Sequence, residues 1–198
     1  MIGTMERVFS RVAVFAVALL VATAGLGLWL GDLHGQRSPE ILRWGTVHRL
    51  SGVLSALVIV LVNSMAVTYF IGTARWCREV VEAYSLDPSS IDRSKRFKRE
   101  AFPFALIGIL GVLAIVALGG AADPSSGRLG TQDWVTFHLI GGIAIVALIA
   151  WCFQRQVGII RRQHGLIEDV LAEVRKVREA KGLDVEKPPQ ETVENNPV

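Results

Sequence analysis

The sequence predicts an all-α fold, an integral membrane four-helix bundle made of two helical hairpins. Three observations predict it. Four apolar blocks, at 8–30, 47–71, 102–122 and 135–153, each have about the 20 residues that a helix needs to cross a hydrocarbon core. Hydrophobic residues make up 51% of the chain and mean hydropathy is +0.41, above the range of ordinary soluble domains. A phrase at the head of the second block also returns in register at the head of the fourth. Trp44, Thr46, His48 and Gly52 are matched by Trp134, Thr136, His138 and Gly142.

The first block holds only Arg11, near its start, and the others hold no Asp, Glu or Lys, with Arg49 close to one mouth. Lipid cannot satisfy backbone N–H and C=O groups, so such blocks must be helices. Arg7, Arg11 and Ala22-Thr-Ala24 share features with a secretory signal. The apolar run continues to Leu30, longer than a signal core, so the block reads as a retained first helix. Lys and Arg concentrate in the 72–101 connection (Arg75, Arg78, Arg93, Lys95, Arg96, Lys98, Arg99) and after Phe153, whereas 123–134 carries only Arg128. The positive-inside rule then places both termini and the middle connection in the cytoplasm, with the two His-bearing mouths outside, as in a bacterial inner membrane. The pI near 9.1 reflects these inside charges, so no nucleic-acid partner is required.

Two helices are predicted to continue past the bilayer. Trp76, Val80, Val81 and Tyr84 give 74–86 an apolar side. Leu166, Ile167, Val170, Leu171, Val174 and Val177 do the same within 155–181. These extensions either pack together or stand as a solvated stem, and 155–181 is a candidate surface for a cytoplasmic partner. Residues 1–182 form the transmembrane domain, and the Pro- and Glu-rich 183–198 reads as a disordered tail.

The repeated phrase carries the chemistry. An ionisable side chain in a membrane helix is a functional-site hypothesis by default. Two histidines with the same neighbours at the same depth suit a six-coordinate heme b, which takes one imidazole on each face. That requires the second and fourth helices to be diagonal in the bundle. Gly52 and Gly142 sit one turn after each His, on the same face, where a flat porphyrin needs small residues. Arg49 is placed either to meet a heme propionate or simply to snorkel. The alternatives for His48 and His138 are structural hydrogen bonding, or another metal or a proton relay. A tetrahedral zinc site lacks a nearby Cys or carboxylate cluster.

Other residues carry weaker signals. Thr46 and Thr136 read as helix caps or as partners of neighbouring backbone, and Trp44 and Trp134 as interfacial anchors. His34 lies in the first outer loop without a counterpart, and His164 on the cytoplasmic side. Asn63 and Ser64 are expected to hydrogen-bond across helices, and Gly25, Gly27, Gly108 and Gly111 to mark close packing. Cys77 and Cys152 fall toward the reducing side and belong to no CxxC or CxxCH motif.

At His48-Arg49 and Phe137-His138-Leu139 the chain resembles one half of a heme A synthase. Those enzymes look like two fused four-helix bundles whose second and fourth helices present heme-binding histidines at their outer mouths. The resemblance covers helix order and the two ligand positions, and it is shared in outline by other membrane b-type cytochromes. It implies a heme held by His48 and His138. The catalytic half of heme A synthase has a Glu three residues before the second-helix His; here Gly45 and Val135 stand at that spacing. The resemblance therefore implies heme holding or electron transfer rather than heme hydroxylation. The stretch from Thr68 to Val81 also resembles bacterial membrane proteins without an assigned role, and implies topology alone.

Two functional classes follow. The first is a small membrane b-type cytochrome, without catalysis of its own, serving a respiratory or quinone-linked partner in the lipid bilayer. The second is a heme-free scaffold or assembly protein whose cytoplasmic helices recruit a partner. A transporter ranks last, because no broken helix or midplane charge is evident.

Overall fold

A computed structural model of the chain describes residues 4–183, so all but the first residue of the 183–198 tail lies outside the described residues. Among them are four α-helices: α1 (Thr4–Leu30), α2 (Pro39–Tyr84), α3 (Ser89–Ala122) and α4 (Val135–Ala180). Each is long enough and apolar enough to cross a membrane, with mean hydropathy of 2.2–2.6 over its best window.

The buried stripes follow helical spacing: Phe9, Ala13, Ala16 and Leu20 on α1, then Ile59, Val62, Ala66 and Phe70 on α2. Ala105 and Val112 of α3 and Ile145, Ile149 and Phe153 of α4 complete the core, with Phe9 and Phe153 in edge contact at 6.1 Å. The opposite faces are also apolar and lie open: Val14, Phe15, Leu57, Leu106, Leu110 and Ile140 are all exposed. A surface of that kind lies well outside what soluble monomers expose.

Each helix packs on its neighbours in a ring, α1 on α2, α2 on α3, α3 on α4 and α4 on α1. The helices α2 and α4 meet only sparsely, across the diagonal. The bundle thus has a loop end, where the α1–α2 and α3–α4 connections lie, and a stem end. At the stem end α2 and α4 continue without a break, and α3 joins them. Cys77 and Val81 of α2 pack with Leu166 and Val170 of α4, flanked by Ile91 and Phe97 of α3.

The sequence predicts a connection running from 72 to 101, but α3 already begins at Ser89. Ile91, Ser94, Phe97 and Ala101 turn one side of this basic segment inward, leaving Arg96, Lys95 and Arg99 at the surface. The α2–α3 turn ends α2 through Ser85 in the left-handed region (φ 53°), with Leu86 N–H donating to the Val81 carbonyl at 2.9 Å. Polar ties then hold the stem end. Ser94 and Gln163 are hydrogen-bonded while buried, and buried Glu6 accepts from Arg161 at 2.7 Å.

The helix starts also differ from the expectation. Because α2 starts at Pro39, Thr46 lies inside it and cannot cap; its hydroxyl donates to the Leu42 carbonyl at 3.2 Å. Thr136 likewise lies within α4, which has no side-chain cap.

Candidate functional site

At the loop end, α2 and α4 bring their histidines together, edge on, across the bundle diagonal. The His48 and His138 ring centres are 6.1 Å apart, with the rings inclined at 72°. Both line a cavity of about 570 Å³ between the four helices, within the size range of small-molecule sites.

Each imidazole leans on a glycine of the helix that precedes it in its own hairpin. A Cβ at Gly27 of α1 would stand 2.7 Å from His48 Cε1, and a Cβ at Gly119 of α3 would stand 2.9 Å from His138 Cε1. Any larger residue there would push the ring away. Four residues before each glycine lies a carbonyl. Thr23 offers its own to His48 Nδ1 at 3.1 Å. A carbonyl only accepts, so Nδ1 carries the proton and Nε2 keeps its lone pair. Ile115 occupies the equivalent place toward His138, but outside hydrogen-bonding geometry, and His138 Nδ1 is buried without a partner. Among the described residues no protein group hydrogen-bonds either Nε2.

Gly52 and Gly142 also line the cavity, and neither is taken up by helix packing. A Cβ at Gly142 would meet nothing within 4 Å, and one at Gly52 would meet only Thr23 Cγ2, at 3.9 Å. By contrast Gly108 and Gly111 are packing positions, against Asn63 and Ile145, while Gly25 meets nothing. Below Gly52, Ser55 is fully buried and shares a hydrogen bond with the Thr23 hydroxyl at 3.2 Å.

Arg49 lies at the cavity rim and reaches across to the other hairpin. Its Nη1 is 3.1 Å from Asp123 Oδ1, and its Nη2 donates to Thr46 Oγ1 at 3.0 Å. Burial opposes ionisation of Asp123. The Ser125 N–H and hydroxyl, with the Arg49 guanidinium, outweigh it and hold the carboxyl below its usual range. His34 does not join the histidine pair. It bridges the loops, with Nδ1 2.6 Å from Asp32 Oδ1 and Nε2 2.7 Å from Thr131 Oγ1. The His34 N–H and ring in turn lower the Asp32 carboxyl.

The remaining candidates lie elsewhere. His164 is in the stem beside Glu168 at 3.4 Å, and Cys77 and Cys152 are buried and unpaired. Asn63 accepts from Gln156 Nε2 at 2.9 Å across the diagonal, whereas Ser64 is exposed. Sequence reasoning missed Gln156, Gly119 and Asp123. The signal for Gly119 was available in its match to Gly27, one helix before each His, although its offset differs from that of the repeated phrase.

Among the described residues no group of three or more His, Cys, Asp or Glu gathers to hold a metal ion. Two imidazoles are instead what a bis-His heme requires of its protein. Nitrogens about 2 Å from a shared metal lie about 4 Å apart, which sets ring centres about 6 Å apart. The observed 6.1 Å between ring centres matches that spacing, and His48 Nε2 and the space at Gly52 and Gly142 are left free for such a group. Comparison of the chain with protein-family models, with curated proteins and with solved structures finds no match.

Proposed function

We propose that this chain is a small integral membrane b-type cytochrome that holds one heme b between His48 and His138 for electron transfer. The observation that carries the reading is the imidazole pair, 6.1 Å apart across the α2–α4 diagonal, in a cavity open at Gly52 and Gly142. His48 and His138 would hold the heme, which when bound would supply one-electron redox chemistry.

The residues of this chain divide the work. Thr23 fixes the tautomer of His48, a role typical of groups behind a metal-binding imidazole. Gly27 and Gly119 set how far each ring stands from its neighbouring helix, and Gly52 and Gly142 keep the cavity free. Arg49, held at the rim by its contact with Asp123, would be the cation available to a heme carboxylate.

The four apolar helices support insertion in a membrane, and the charge pattern supports both termini facing the cytoplasm of a bacterial inner membrane. In that frame the cavity opens near the outer face. The matched phrases at His48 and His138, each with its own glycine support, favour a duplicated hairpin as the origin of the bundle. Electrons would pass to or from a respiratory or quinone-linked membrane partner.

The test is the heme content of the full-length protein purified from heme-supplied cells, measured as its pyridine haemochrome. The reading expects close to one heme b per chain. A colourless protein would overturn it and leave the heme-free scaffold in its place.

A further inference from the structure

A second cavity, of about 410 Å³, lies between α3 and α4 where the apolar part of α4 ends, at the stem end of the bundle. On α4, Trp151, Arg155, Gly158 and Arg162 follow one another along one face at helical spacing, and α3 supplies Glu100 and Phe104 one turn apart. The groove is aromatic at one end, where Phe104 and Trp151 meet edge to face at 5.2 Å. It is basic at the other. The Arg155 guanidinium stacks over Trp151 at 5.8 Å, and Arg162 stacks over Phe97 at 5.1 Å while bonding Glu100 at 2.6 Å. Two guanidiniums thus face one carboxylate. Among the described residues no carboxylate pairs with Arg155. Gly158 leaves the floor open, since a Cβ there would meet nothing within 4 Å.

We propose that this groove binds one anionic phospholipid, with its phosphate on Arg155 and an acyl chain laid along Phe104 and Trp151. The proposal rests on the membrane reading of the four helices. The order of chemistry along the groove is that of a lipid, apolar toward the bundle middle and basic toward the stem. Exposed Ile107, one turn beyond Phe104 on α3, continues the apolar end. Basic pockets between helices on the cytoplasmic side are suited to lipid headgroups. A free phosphate would leave the aromatic half bare. Glu100 neutralises Arg162 in part, so Arg155 is the phosphate's main partner and Arg162 extends the positive rim.

The experiment is native mass spectrometry of the full-length protein from micelles containing equal phosphatidylglycerol and phosphatidylcholine. The first retained lipid should be mainly phosphatidylglycerol. Arg155→Gln should cut that preference about fivefold, the weight of one guanidinium at an anionic surface. Gly158→Leu should lower first-lipid occupancy with the charge unchanged, because it fills the groove floor. Wild-type preference and occupancy in both variants would overturn the site, as would displacement of phosphatidylglycerol by millimolar inorganic phosphate. A protein that retains neither lipid would overturn the site, while cysteine labelling from outside the cell tests the membrane reading separately. Retention of both lipids without preference would overturn the site alone.

Discussion

The Thr23 carbonyl accepts a hydrogen bond from His48 Nδ1 at 3.1 Å, joining α1 to α2 through the ring of the candidate ligand. Because the acceptor is backbone, no substitution at residue 23 removes it directly. Ring position depends instead on Gly27, whose missing side chain lets the imidazole approach α1. Gly119 does the same for His138, without the matching hydrogen bond. Gly27→Ala and Gly119→Ala should both lower heme content. The Gly27 change should cost more, since it also breaks an established hydrogen bond, a loss of about 1 kcal/mol. Heme-to-protein ratio in the purified variants checks the order.

The glycines that face open space predict a different outcome from those that face side chains. Gly142→Leu should leave the helices folded and inserted while reducing heme retention, because its new side chain enters the cavity. Gly108→Leu should instead destabilise the fold by about 1–3 kcal/mol, since a Cβ there already falls 2.8 Å from the Asn63 amide. Thermal unfolding followed by circular dichroism, with heme absorbance in the same samples, separates the two effects.

The rim contact between Arg49 and Asp123 carries a pH dependence. The Asp123 carboxyl is lowered from its ordinary 3.8 in the folded protein. The stability it contributes is therefore present above the ordinary value and is lost as pH falls through the lowered one. The unfolding midpoint of the purified protein should therefore fall as pH drops through that acid range. Asp123→Asn should lower the midpoint at neutral pH and shrink that acid step, the part that remains belonging to other lowered carboxyls such as Asp32.

Glu6 is only 4% exposed, whereas the Arg161 side chain that pairs with it is 67% exposed. Removing the arginine strands a buried carboxylate, while removing the carboxylate frees an arginine that water already reaches. Arg161→Ala should therefore lower stability more than Glu6→Gln does. Unfolding midpoints in one detergent test the asymmetry.

Topology is open to cysteine labelling, because both native cysteines are buried and contribute little background. Cysteines at positions 37 and 128 should react with an impermeant reagent from outside the cell, and one at position 96 should not. The reverse pattern would place the histidine cavity on the cytoplasmic side.

That His48 and His138 meet, with Gly52 and Gly142 lining the same cavity, is legible because a repeated phrase leaves a local pattern in the chain. The features that support them are not, because they come from other helices. Gly27 and Gly119 are recognisable only once α1 and α3 are set against the rings. Asp123 meets Arg49 only when the two hairpins close. The early start of α3 was hidden by its Lys and Arg residues, which mask the stripe of Ile91, Ser94, Phe97 and Ala101. Thr46 resembled a cap because the polar residues before it looked like loop. Yet Pro39 and Glu40 already open α2 there, at positions suited to a helix start.

The most direct test of the central claim is the low-temperature visible and EPR spectrum of the heme-loaded protein and three single variants. The account predicts a low-spin bis-imidazole spectrum for the wild type. His48→Ala and His138→Ala should each lose it or turn high spin, and His164→Ala, altered in the stem, should keep it. Low-spin signals that survive loss of either His48 or His138 would contradict the account.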